Sequence, residues 1–561
     1  MAEGKKKGAK IVEAYEAAEA VPRGCVMNGG AESIGVAVRN AEVHGPVIRI
    51  GGGRLSENAT AGERAIIAAG MPVYRRGAML VRPVVEEVDA AHGHRTHVAQ
   101  LARLDLPYLR DLLCRAAQWE RFNGRKQDWI VVNAPQDVAQ TILCRFGEWT
   151  FLSVVGVLTT PTLRPDGTIL AEPGYDAETR LILMAPPPMP RIALEPTRDD
   201  AERALGLLDG LLDEFPFIDD ASHSVALSGL ITPIVRGAFP VAPMHVARAP
   251  TPASGKSYLW DVMAAIALGQ PCPVMAAGRS EEETEKRLGA ALLAGQPIIS
   301  IDNVNGELGG DALCQAIERP VVEVRILGKS ERVRIEARGT TLFATGNNLV
   351  LLGDMTRRVL LATLDPMLER PELRQFTGNP VTDALANRGK YIGAALTLVR
   401  AYIAAGRPDP APRLASFEGW SDSVRSPLIW LGRADPVITM EQARDEDPQL
   451  AVLHEMLTAW ADALGTGPAT RRTAADLLTL IEERETRVVG DGDAHEGYER
   501  EWRYPTLRNV VLAAAASRGR PEVRTLGRWL VRHRGRIAGG LRFAGETDKH
   551  GHGWKWWVEK C

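Results

Sequence analysis

Residues 249–259, APTPASGKSYL, constrain the fold more than any other stretch. Gly255-Lys256-Ser257 has the form in which a phosphate-binding loop of pattern G-x-x-x-x-G-K-[ST] ends, although Pro250 stands where the pattern has its first glycine. Such a loop wraps backbone N–H groups around phosphate at a helix N-terminus. Its lysine reaches the β- and γ-phosphates, and its hydroxyl reaches Mg²⁺. That geometry requires a strand before the loop and a helix after it, and SYLWDVMAAIAL reads as the helix. Proline also starts turns, so Pro250 weakens the match without breaking it. The expected nucleotide contacts are Pro252, Ala253, Ser254, Gly255, Lys256, Ser257 and Tyr258. A lone GKS arises by chance, so the downstream sequence decides.

QPIISIDNV (296–304) reads as a buried strand ending in Asp302, placed to share a Mg²⁺ shell with Ser257. Asn303 follows where many such ATPases have a catalytic glutamate, and Glu307 and the run Glu281–Glu283 stay open as substitutes. A third strand, TTLFATGNNL (340–349), ends near Asn347 and Asn348, and GDMTRRVLLATLD then brings Arg357 and Arg358. Between them VEVRIL and RVRIE flank Gly328-Lys329-Ser330-Glu331, a hairpin signal.

In this order and spacing the elements resemble an AAA+ module. The resemblance implies that Asn347, or next Asn348, is sensor 1, that Arg357 or Arg358 acts in trans on a neighbour's nucleotide, and that Arg388 is a second phosphate sensor, with Lys390 or a structural role for Arg388 equally open. The hairpin resembles the pre-sensor hairpin of superfamily 3 and minichromosome-maintenance helicases, which puts Lys329 at a tip that grips the nucleic-acid backbone. FIDDASHSVALSGLITPIVR, ATGNNLVLLGDMTRRVLLATLDP, ASFEGWSDSVRSPLIWLGRADPV and TPTLRPDGTILAEPGYD are similar to the helicase portion of phage and mobile-element replication proteins, from about residue 130 to the C-terminus. That similarity implies an ATP- and Mg²⁺-dependent homo-hexameric DNA helicase acting on single-stranded and forked DNA, with host or element-encoded replication proteins as further partners. Two alternatives stand: an AAA+ initiator or loader that does not unwind, and a DNA-assembly protein that binds ATP without hydrolysing it.

The expected fold is α/β: an AAA+ P-loop core (198–375) with a helical lid (376–465), a mixed α/β N-terminal domain (41–197) for DNA binding or a ring collar, and a C-terminal winged helix (466–561). APPPMPRIALEP (185–196) and GTGPATRR (465–472) read as boundaries. HVAQLARLDLPYLRDLLCRAAQWERF (97–122) reads as helical, PVIRIGGGR as a strand, and residues 1–40 as a solvated basic tail.

Net charge is −3, which excludes a polycation overall, but eleven Lys/Arg against four acids from Arg518 to Cys561 give +7 locally. Arg524, Arg528, Arg532 and Arg536 recur every four residues and are expected along one face of a recognition helix, with GLRF and WKWWV forming the wing. Trp529, Trp556 and Trp557 are expected in the core beneath it. Scattered cysteines (Cys25, Cys114, Cys144, Cys272, Cys314, Cys561) form no C-x-x-C pair, pointing to reduced thiols, a cytoplasmic protein and no structural zinc. His92, His94 and His97 have metal-like spacing without a carboxylate cluster and read as a loop. No apolar run approaches the roughly 20 residues of a membrane span.

Overall fold

The computed structural model describes residues 45–89, 93, 95–278, 280–325, 331–489, 497–517, 520–547 and 553–561, with the side chains of 487–489 and 497–499 excepted. Two compact units emerge: residues up to Leu349 with Arg357–Met440, and Val350–Thr356 with Glu441–Cys561.

The first unit begins with β1 (Val47–Ile50), α1 (Leu55–Ala68), the long hairpin β2 (Met79–Asp89) and β3 (Arg95–Arg103), α2 (Leu106–Ala116), β4 (Gln118–Asn123), β5 (Asp128–Val132) and α3 (Gln136–Cys144). β1, β4 and β5 form a sheet with β1 parallel and β5 antiparallel to β4. The alternation exposed–buried–exposed–buried along β1 turns Ile48 and Ile50 onto α1–α3, where Leu109, Leu113, Val138 and Trp119 complete a core.

The stretch expected to be one helix over 97–122 is strand, helix and strand. Nine residue pairs tie β3 to β2. The Asp105 carboxylate accepts from Tyr108 N–H and starts α2, with Pro107 in its first turn. Local periodicity gave way to pairing and capping.

The central sheet has strand order β7–β8–β11–β6–β12, where β6 is Met244–Ala249, β7 Val274–Ala276, β8 Ile298–Leu308, β11 Thr341–Leu351 and β12 Val359–Thr363. β6 runs parallel to both β11 and β12, and β7 runs parallel to β8. Between these strands come α4 (Lys256–Leu268), α5 (Glu281–Ala294), α6 (Asp311–Glu318) and the antiparallel pair β9 (Val321–Arg325) and β10 (Arg332–Glu336). The hairpin signal is thus met by five residue pairs, while Lys329 lies outside the described residues. The unit is mixed α/β around a parallel sheet, as the sequence leads one to expect.

The proline-rich 185–196 stretch is no free boundary. It crosses α7 (Arg388–Ala404), where a Cβ on Gly389 would meet Pro188 O at 1.8 Å, so only glycine permits the crossing.

In the second unit α8 (Pro448–Leu464), α9 (Pro505–Ala515) and α10 (Val523–His533) pack on β13 (Leu541–Thr547) and β14 (Trp554–Lys560). α8, which the sequence reading gave to the lid, contributes Leu453, Met456 and Trp460 to this core. Residues 465–472, read as a linker, are tied to β14: Gly467 N–H bonds Val558 O, and Arg472 and Trp556 exchange backbone bonds. Trp556 is fully buried there, while Trp529 and Trp557 are half-buried.

Candidate functional site: the loop between β6 and α4

β6 ends at Ala249, and the chain turns through residues 250–255 into α4. The turn needs left-handed backbone at Ala253 (φ 57) and Gly255 (φ 92), and the second value is one that L side chains rarely adopt. Thr251 and Ser254 close the loop internally, with the Ser254 hydroxyl donating to Thr251 O at 2.7 Å. Helix α4 is held by Trp260, whose Nε1–H bonds Ala344 O at 2.8 Å and whose ring stacks on Phe343 of β11. The helix that starts at Lys256 is thereby keyed to the strand that carries Asn347.

Lys256 is largely buried, and its ammonium donates to Thr251 O at 3.0 Å. Burial pushes its pKa down and the Asp302 carboxylate opposes the shift. Ser257 Oγ donates to Asp302 Oδ1 at 3.1 Å, and Thr345 Oγ1 donates to the same oxygen at 2.5 Å. Thr345 Oγ1 also accepts from Asn303 N–H at 3.0 Å, where Asn303 turns to φ 55. Asn347, two residues along β11 from Thr345 and so on the same face, has a buried amide oxygen with no hydrogen-bond partner. Asn348 is exposed, with φ 48. Pro252 and Ala253 are exposed at the loop's crest, and Ser254 is buried behind it.

Beside the loop lies a cavity of about 340 Å³ lined by Phe215, Gly255, Tyr258, Arg374, Phe376 and Asn379. Phe215 and Tyr258 stack with centroids 6.2 Å apart, and Tyr258 Oη donates to Asn379 Oδ1 at 2.7 Å. Glu214 accepts from Thr377 N–H, Thr377 Oγ1 and Gly378 N–H, holding the wall that Phe376 and Asn379 belong to; these bonds lower its pKa. Aromatic faces with a few polar edges are what a planar heterocycle requires. Of this group only Gly255 and Tyr258 were legible beforehand. Thr345 was missed as well, although its spacing of two from Asn347 was the available signal.

The donor set fits a Mg²⁺-bound triphosphate. A hydroxyl and a carboxylate meet at one point, a lysine ammonium rests on a backbone carbonyl of the loop, and an orphan amide oxygen faces the same strand edge. Among the described residues no group of three or more His, Cys, Asp or Glu could hold a metal by itself. Here Ser257, Asp302 and the phosphates would share the ion.

The substitute carboxylates have other engagements. Glu281 accepts from Asp311 N–H, Glu282 pairs with Lys286, and Glu283 pairs with Arg287; Glu307 is exposed on β8.

Arg357 and Arg358 both bind Glu318 at the end of α6: Arg357 at 3.3 Å through two nitrogens, Arg358 at 2.8 Å through Nε. Arg358 is buried and Arg357 half-exposed. Burial raises the Glu318 pKa, but bonds from Ser416, Arg358 and Arg357 outweigh it and hold the value down at about 2.

Arg388 requires a correction. Its guanidinium is buried on Ile266 O, Ala267 O and the hydroxyls of Thr159 and Thr160, at the C-terminal end of α4. The 250–255 loop is at the other end of α4, some 15 Å away at about 1.5 Å per residue. Carbonyls at a helix C-terminus draw a cation, and burial lowers this one to about 9.

In the second unit Arg524, Arg528 and Arg532 are exposed on α10, opposite buried Leu526 and Leu530. Arg536 does not extend that face. α10 ends at His533, and Gly535 (φ 74) turns the chain away. No described helix is long and apolar enough to cross a membrane. The five described cysteines are free thiols, and His97 lies in β3 while His92 and His94 fall outside the described residues.

No family model and no curated protein matches the chain. Among solved structures, an apo form of the NrS-1 C-terminal region aligns with 68% of this chain and 75% of that one at 11% identity and a TM-score of 0.31. A second NrS-1 fragment, residues 305–718, aligns with 72% of this chain and 80% of that one at 11% identity and TM-score 0.32. JCV helicase, in complex with a small molecule, aligns over 46% of this chain and 71% of that one at 11% identity and TM-score 0.19. Likeness at this level carries no functional weight.

Proposed function

We propose that this chain is an ATP-driven DNA helicase of AAA+ type that works as a homo-hexamer on single-stranded and forked DNA, in the replication of a phage or mobile element. One observation carries the nucleotide half: Ser257 Oγ and Asp302 Oδ1 are bonded at the foot of a loop whose lysine is within 3.0 Å of a loop carbonyl. Bound ATP and Mg²⁺ supply the phosphoanhydride to be broken and the charge that offsets its oxygens. Lys256 leaves Thr251 O to hold phosphate, Ser257 and Asp302 hold the ion, and Asn347 offers its orphan oxygen to a water proton. Phe215 and Tyr258 sandwich or flank the base. Arg357, the more exposed of its pair, is the residue to reach a neighbour's nucleotide, while Arg358 anchors it through Glu318.

The DNA half is supported by the antiparallel pair β9–β10 between Asp302 and Asn347, with Lys329 in the sequence that joins the two strands, and by the arginine face of α10 beside the β13–β14 hairpin. The test is forked-duplex unwinding beside ATP turnover for wild type and Lys329→Ala. The proposal expects unwinding to vanish while turnover persists; equal loss of both, or no loss, contradicts it.

Asn303 favours a second reading, in which the ring binds ATP and assembles on DNA without hydrolysis. No carboxylate follows Asp302, and Asn303 is turned out to solvent at φ 55. That reading is recognised by ATP-dependent assembly with no phosphate release.

A further inference from the structure

We infer that the open face of the β1–β4–β5 sheet is a single-stranded DNA platform, separate from the β9–β10 hairpin and from α10. Helices α1–α3 cover one side of this sheet. The other side carries Val47, Arg49, Phe122, Trp129 and Val131, and strand alternation together with the register (Arg49 opposite Glu120, Glu120 opposite Val131, Phe122 opposite Trp129) places them all on that side. Val47 is 52%, Phe122 46% and Val131 68% exposed, values at odds with a buried layer.

The face is preorganised. Phe122 meets Trp129 edge to face with centroids 5.6 Å apart, and the Arg49 guanidinium lies 4.8 Å over the Trp129 ring. Glu120 orients that arginine through a 3.2 Å bond to Nε, and the arginine side chain stays 58% exposed. Two rings and a planar cation side by side form a surface on which successive bases stack, whatever their sequence.

The charge around it matches a polyanion. Arg125 and Lys126, in the turn after β4, make no ion pair among the described residues and outnumber Asp128 there, so the end of the sheet that carries the aromatic pair is cationic. Because Ile50 pairs with Arg121, the Gly51–Gly53 loop follows β1 at this same end. Nothing lies within 4 Å of where a Cβ on Gly52 or Gly53 would sit, so a phosphate backbone can approach the loop. A purely apolar protein partner would have no use for those cations, whereas a strand with stacked bases and flanking phosphates uses both.

The occupant is taken as DNA rather than RNA on the strength of the proposed function. The site itself stands or falls without ATP, so its failure is distinguishable from failure of the ATPase reading. The test uses the full chain without nucleotide and a dT oligonucleotide of about 16 residues carrying 5-iododeoxyuridine. After irradiation, crosslinked peptides are mapped by mass spectrometry in wild type, Phe122→Ala and Phe122→Tyr. The inference expects a crosslink on residues 118–132, at Phe122 or Trp129, with yield falling about tenfold in Phe122→Ala and kept in Phe122→Tyr. Phe122 is half-exposed, so the variant should fold; circular dichroism checks this. Crosslinks confined to other peptides overturn the inference. So does a strong preference for the matching rU oligonucleotide, or a Phe122→Ala variant that loses an oligomer while its crosslink is unchanged.

Discussion

Ser257 Oγ and Asp302 Oδ1 are 3.1 Å apart although 45 residues separate them in the chain. The helix that opens with Lys256 and the strand that carries Asp302 are brought to one point because β11 lies between β6 and β8, presenting Thr345 to Asp302 and Asn347 beside it. The bond persists in a loop that has Pro250 in place of the usual glycine, so the departure from pattern has not displaced the hydroxyl.

Asp302→Asn keeps the shape of the carboxylate and removes its charge. Mg²⁺ affinity in the presence of ATP should fall by about 10–100-fold, as it does when partners of a metal shell are altered. Titration of nucleotide binding against Mg²⁺ checks it. Unchanged affinity would remove Asp302 from the ion's surroundings.

Arg388→Met separates a clamp from a phosphate sensor. The variant leaves Ile266 O and the Thr159 and Thr160 hydroxyls without the guanidinium donor in a buried site, while Ala267 O keeps only the Thr160 hydroxyl. Stability measured by urea unfolding should drop by about 3 kcal/mol, while ATP affinity of the folded protein stays within about threefold. A sensor would give the reverse, weakened ATP binding in a chain of normal stability.

Glu318 makes stability depend on pH in a stated direction. Its pKa is depressed in the folded protein from 4.5 to about 2, so its stabilising contribution is complete above pH 4.5 and is lost as pH falls from there towards 2. Glu318→Gln should lose part of the acid-side slope in unfolding curves between these values, and should be less stable at neutral pH because Arg358 is left buried beside a neutral partner.

Much of the local geometry around the β6–α4 loop was legible because it is fixed by neighbours close in sequence or by a short period. Gly255 must be glycine, Asp302 ends an apolar run, and the hairpin signal flanks a four-residue turn. What was not legible depends on partners distant in sequence. β3 looked helical in isolation and became a strand by pairing with β2. α8 reads as continuous with the lid, yet its Leu453 and Trp460 face Leu526 and Phe543 in the second unit's core. Arg388 has the position along the chain of a lid arginine, but the carbonyls that receive it lie 121 and 122 residues earlier. Arg536 followed the four-residue spacing past the point where Gly535 ends the helix.

Replacing Arg524, Arg528 and Arg532 together by alanine should weaken DNA binding and reduce the slope of log affinity against log salt, by about 0.7–0.9 for each arginine that contacts phosphate. The helix itself should not suffer, because all three side chains are exposed and like charges four apart repel. An unchanged slope would leave this face without a role in binding.

The most direct measurement is ATP turnover with and without single-stranded DNA, for wild type and Lys256→Ala. The proposed function predicts turnover that rises on adding DNA and is abolished in the variant. No turnover in wild type under either condition would contradict it, and would make Asn303 the mark of a ring that binds ATP without hydrolysing it.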